Sequence, residues 1–139
     1  SCQSLFFEKQ EGGMCRMHAI NNVMQEVVVS PKEWDAFNHA VDAKGNPLPQ
    51  QQKLARMILI LRNKGVDVFD TVKRDKSGKK VIMSDHDLML KMTKSDFKGF
   101  LIAFKYTKER QAGHLAAITK LSDGTYWYLD SNFDPNAGW

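Results

Sequence analysis

Cys15, at the close of Gln10-Glu11-Gly12-Gly13-Met14-Cys15, has the surroundings that a nucleophilic thiol requires. An apolar helical pattern begins directly after it, so the sulfur falls in the first turn of a helix. The positive end of a helix dipole favours the reactive form of a thiol. Gln10 lies upstream across the flexible Gly12-Gly13 link, from which its amide can fold back over the sulfur. Far along the chain, Gly113-His114-Leu115 supplies an imidazole at the start of a β-like run. Tyr128-Leu129-Asp130-Ser131 then supplies a carboxylate at the end of the next run. Gln, Cys, His and Asp in that order are the parts for acyl transfer at sulfur. Cys15 attacks a carbonyl, His114 moves the proton and Asp130 orients His114. The Cys15 backbone N–H and the Gln10 amide would hold the oxyanion.

The elements that must position these residues are legible in outline. Ala19, Ile20, Val23, Met24 and Val27 recur at helical spacing and predict a first helix over 14–27. Ser30 as N-cap, Pro31 at the first helical position and Glu33 of a capping box start a second helix. Trp34, Phe37 and Val41 form its apolar stripe, and Gly45, Pro47 and Pro49 end it. A third helix is expected over 50–64, with Leu54, Met57, Ile58 and Leu61 on one face and Gly65 as its C-terminal cap. Val66 to Val72 reads as a strand, and Ser84 caps a short helix over 85–93. Three β-like runs follow, over 99–106, 114–121 and 125–129. The last two are joined by the tight turn Ser122-Asp123-Gly124. Helices first and an antiparallel meander after predict an α+β fold, with N-terminal helices packed on a small antiparallel sheet. In that hairpin His114 and Asp130 fall at the same sheet edge, so the carboxylate holds one imidazole nitrogen and leaves the other for the thiol.

His18 is the rival base, three residues after Cys15 on the same helix face, or else a core hydrogen-bonding residue. His39 and His86 have no evident companions, and Cys2 reads as an incidental thiol near the terminus. Two cysteines and four scattered histidines do not make a disulfide framework and have no zinc-ligand spacing. No metal or other cofactor is expected. The densest basic run, Lys73-Arg74-Asp75-Lys76-Ser77-Gly78-Lys79-Lys80, has turn residues at its centre and no interleaved aromatics. It reads as a solvated hairpin or loop in preference to a nucleic-acid or acidic-partner patch.

A chain of 139 residues suggests a single domain spanning 1–139. Its first residue is Ser, which points to excision from a longer protein. With 42% hydrophobic and 26% charged residues the composition is that of an ordinary globular protein. No apolar run approaches the ~20 residues of a membrane span. A reducing compartment, cytoplasm or nucleus, is the expectation, with no membrane partner and a monomeric state.

The segment Phe7-Glu8-Lys9-Gln10-Glu11-Gly12-Gly13-Met14-Cys15-Arg16-Met17-His18-Ala19-Ile20-Asn21-Asn22-Val23-Met24-Gln25 closely resembles the opening of a Josephin domain. In that family a His/Phe-Glu-Lys-Gln-Glu-Gly segment precedes the nucleophilic Cys, and a His and an Asn-Asn pair follow on the same helix. Ser30-Pro31, Gly113-His114 and Trp127-Tyr128-Leu129-Asp130-Ser131 are similar to later parts of the family pattern. The resemblance implies a papain-like α+β fold and a cysteine deubiquitinase. Such an enzyme cuts the peptide or isopeptide bond after the C-terminal glycine of ubiquitin. It assigns Cys15 as nucleophile, His114 as base, Asp130 as orienting residue and Gln10 as oxyanion donor. The implied partner is ubiquitin, polyubiquitin or a ubiquitin-like protein. A virus or bacterium acting in the cytosol of a host would suit so compact a chain. A papain-like peptidase that processes a Gly-Gly leader or viral polyprotein would use the same residues; a non-catalytic ubiquitin-binding module is a third reading, against which the presence of all four catalytic residue types argues. Nucleic-acid binding rests on the net charge of +4 alone and ranks last.

Overall fold

A computed structural model describes residues 5–9, 14–105 and 113–133. Its elements run α1 (Cys15–Met24), α2 (Pro31–Asn38), α3 (Gln50–Asn63), β1 (Val72–Arg74), β2 (Lys80–Ile82), α4 (Asp85–Met92), β3 (Gly99–Lys105), β4 (Gly113–Lys120) and β5 (Tyr126–Leu129). Helices and small antiparallel sheets make this an α+β chain. The chain divides into two units, one comprising Ser1–Pro31 and Ser95–Trp139, the other Lys32–Lys94.

The first unit holds α1 and the sheet β3-β4-β5, antiparallel throughout. The β4–β5 turn follows the expected chemistry. Asp123 accepts bonds from the Thr125 backbone and hydroxyl, and Gly124 takes φ 85°. The Thr125 hydroxyl, then its N–H, holds the Asp123 carboxyl below the ordinary carboxylate value. β4 lies between its two neighbours, and Ala116, Ala117 and Thr119 are fully buried.

α1 packs on β4, and also on β3 and β5. Its carboxyl end is pinned by the Thr119 hydroxyl, which donates to the Val23 carbonyl at 2.8 Å. The helix stops at Met24, short of the predicted Val27. Gln25 adopts the left-handed conformation (φ 59°, ψ 28°), and the Gln25 and Glu26 amides return to the Asn22 and Asn21 carbonyls. The Asn21 side chain explains the stop. Its oxygen accepts the Val28 and Val29 amides, at 2.9 and 3.0 Å, which would otherwise continue the helical ladder. Val27, assigned to the buried face, is consequently exposed.

The second unit holds α2, α3, the β1–β2 hairpin and α4. Among the described residues Trp34, Phe37, Met57 and Leu61 are its buried apolar ones, and Lys64 bridges to Glu33 at 2.7 Å. Ser84 caps α4 as expected, accepting from the Asp87 N–H at 3.1 Å. Two expectations fail here. α2 ends at Asn38, and Val41 lies beyond it, exposed and bridged to Pro47. The strand predicted over 66–72 is irregular up to Thr71. The Val66 amide closes α3 by bonding the Leu61 carbonyl, and only Val72–Arg74 meets a partner, in Lys80–Ile82. The basic run 73–80 is thus a solvated hairpin, its turn drawn together by Asp75, which accepts the Ser77 and Lys79 amides.

Candidate active site

β5 is built from three aromatic residues and Leu129, and the chain leaves the strand at Asp130 because that residue starts a turn. The Asn132 N–H donates to Asp130 Oδ1 at 3.0 Å and the Phe133 N–H to its carbonyl at 2.9 Å. Ala117 pairs with Leu129, so the same register continued one step sets Asp130 opposite Ala116. His114 is two residues from Ala116 and therefore on the same sheet face, within diagonal reach. The side chains meet: His114 Nε2 lies 2.7 Å from Asp130 Oδ1, with side-chain exposures of only 4% and 2%. A carboxylate only accepts, so Nε2 is the donor in this bond. The Tyr128 hydroxyl donates to the second Asp130 oxygen at 3.3 Å. Tyr128 had no place in the sequence-based site, and its hydroxyl is a further anchor on the carboxylate.

Cys15 is a free, half-exposed thiol and the first residue of α1. α1 contacts β4 and is tied to it through Val23 at Thr119, next to the last residue of the strand. Gln10 and Cys2 lie outside the described residues.

His18, the rival base, is committed elsewhere on one side. Its Nδ1 lies 2.9 Å from Glu8 Oε1, and both side chains are largely buried. The same Glu8 oxygen accepts from Asn21 Nδ2 at 3.0 Å. Glu8 belongs to the extended segment that precedes the thiol, and sequence reasoning gave it no role outside the family motif. The available signal was its place ten residues before a histidine on a helix that also carries two adjacent asparagines. His39 has a companion after all, the exposed Asp35 carboxylate at 3.2 Å.

Asn21 is the hub of this network. It is fully buried, and its amide nitrogen also donates to the Val29 carbonyl at 2.9 Å. Replacing it with alanine removes the partner of the Val29 amide and of the Val29 carbonyl, while the Glu8 oxygen keeps His18. Each unsatisfied buried group costs about 1–3 kcal/mol. After relaxation we expect Asn21→Ala to lose about 3 kcal/mol in urea unfolding. A loss below about 1 kcal/mol would contradict the assignment.

No family model matches the chain. A segment of 40 residues is 42% identical to ataxin-3 of Homo sapiens, and the same identity over the same length holds for ataxin-3 of Mus musculus and Rattus norvegicus. The matched segment is 29% of this chain and 11% of each ataxin-3, so the chain aligns with only a small part of the curated relatives it matches.

Proposed function

We propose that this chain is a cysteine deubiquitinase of the Josephin type, with the papain-like arrangement of a thiol-bearing helix against an antiparallel sheet. The observation that carries the reading is the buried His114–Asp130 pair at 2.7 Å. A histidine held by a buried carboxylate through one nitrogen is the arrangement a thiol needs beside it. The Josephin-like run around Cys15 and the local identity to ataxin-3 support the same family.

In this reading His114 Nδ1 takes the thiol proton, and Cys15 Sγ attacks the carbonyl of the C-terminal glycine of ubiquitin. The new S–C bond forms as the carbonyl π bond opens, and the Cys15 N–H and the Gln10 amide hold the oxyanion. Collapse expels the amine, which takes its proton from His114 Nδ1 and leaves a thioester. His114 then removes a proton from water, the hydroxide displaces sulfur, and free ubiquitin leaves. Asp130 keeps the ring oriented through both steps. The thiol chemistry calls for a reducing compartment.

The test is labelling by a ubiquitin derivative whose C-terminus carries an electrophile. Wild-type protein is expected to form a stable adduct about 8–9 kDa heavier, the mass of one ubiquitin, and Cys15→Ala to form none. An unlabelled wild type would overturn the reading. Labelling only by a short Gly-Gly peptide electrophile would replace it with a leader peptidase.

A further inference from the structure

The extended segment Leu5–Lys9 has no strand beside it among the described residues, yet its backbone is hydrogen-bonded as though it had one. The partners are side-chain amides of α1. Gln25 Oε1 accepts the Phe6 N–H at 2.9 Å, and Gln25 Nε2 donates to the Phe6 carbonyl at 2.9 Å. One turn earlier, Asn22 Oδ1 accepts the Glu8 N–H at 2.6 Å, and Asn22 Nδ2 donates to the Glu8 carbonyl at 3.3 Å. Each amide brackets one residue as a neighbouring strand would. The alternation follows a strand's, because Leu5 and Phe7, the residues between, pack against Val23, Ala117 and Leu129. Phe6 meets Gln25 and Glu8 meets Asn22, so the strap runs antiparallel to α1, toward the helix end that begins with Cys15.

The conformation of Gln25 is a second, independent observation. It is the one non-glycine residue with positive φ among the described residues, at φ 59°. Glycine occupies that conformation without steric penalty, so a residue with a side chain there is held for what the side chain does. Here the side chain brackets Phe6 and also donates to the Asn22 carbonyl at 2.8 Å.

We propose that this strap is a positioning element of the thiol site, with Gln25 and Asn22 as its positioning residues. Only four residues separate Lys9 from Met14, and Met14 is fixed as the residue that leads α1. Release of the strap would let Leu5–Lys9 slide along α1 and loosen the approach to Cys15. The functional half of the proposal rests on the hydrolase reading above; the mechanical half does not.

The test uses Gln25→Gly and Gln25→Asn in the full chain. Glycine relieves the left-handed backbone and removes the bracket. Asparagine tolerates that backbone but is one methylene too short to reach both Phe6 groups. Both variants are expected to melt at or near the wild-type temperature. Hydrogen exchange at the Phe6 amide should accelerate at least tenfold. For a ubiquitin C-terminal amide substrate, kcat should fall at least tenfold while KM stays within twofold. A capping role alone would leave kcat unchanged or raise stability without touching it. Faster exchange at Phe6 with kcat within twofold of wild type overturns the positioning role. A wild-type chain that turns over no ubiquitin substrate overturns the hydrolase reading instead, and exchange then decides the clamp: protection retained in Gln25→Asn refutes it, protection lost supports it.

Discussion

His114→Gln is expected to lower kcat for a ubiquitin C-terminal amide by about 10⁴-fold or more while leaving the protein folded. Glutamine keeps an N–H that can donate to Asp130, so the buried carboxylate is not stranded, but it has no basic nitrogen. Asp130→Ala should cost about 10²–10⁴-fold, because the imidazole survives without its orienting bond. The informative measurement is the double variant. Residues that act as one unit are grossly non-additive, so His114→Gln with Asp130→Ala should be no slower than His114→Gln alone. Additive losses would mean that Asp130 serves the fold and not the imidazole. Asp130 also caps its own turn by accepting the Asn132 N–H, so thermal melts must accompany the rates.

Gly99→Ala should be the most damaging single-methyl change outside the site. Gly99 opens β3 at φ 140°, opposite Thr119. A Cβ there would stand 2.0 Å from the Ile118 carbonyl oxygen and 2.9 Å from Val23 Cγ2. The first of these contacts is with backbone in the central strand, which cannot rotate away. Overpacking costs about 1–3 kcal/mol and a disallowed φ about 1–2 kcal/mol. A total of about 2–5 kcal/mol is a large share of the 5–15 kcal/mol typical of a domain. Urea unfolding measures it. A loss under 1 kcal/mol would show that α1 and β3 do not meet at this close approach. The same joint carries the Thr119–Val23 hydrogen bond, so loosening it should also shift α1 against β4.

The parts of the molecule that could be read in advance are those specified by neighbours in sequence. Ser84 caps α4 because its hydroxyl meets an amide three residues on. Ser122-Asp123-Gly124 turns the chain because Asp123 and Gly124 supply the bonds and the backbone angle locally. That turn in turn sets the register which brings His114 to Asp130, so half of the candidate site followed from a three-residue signal. What stayed hidden was specified at long range by ordinary-looking side chains. Asn21, Asn22 and Gln25 have no hydrophobic periodicity, and nothing local says that they grip a segment 13 to 19 residues earlier. The early end of α1 was missed for the same reason, since it is a side-chain oxygen of Asn21 that captures the next amides. The strand expected over 66–72 failed because apolar residues make a strand only where a partner edge is available, and the Val66 amide is taken by α3.

The hairpin that unites His114 and Asp130 closes over 16 residues, whereas the bond pinning the thiol helix to the sheet spans 96. Synthesis from the N-terminus therefore yields the sulfur long before its base. At about 5–20 residues per second the nascent chain carries an unassisted Cys15 for several seconds, until β4 and β5 clear the ribosome and the helix can dock. The order of the chain thus delays the proposed chemistry until β5 has been made. A product truncated before β5 would retain the thiol but lack Asp130, the carboxylate bonded to His114.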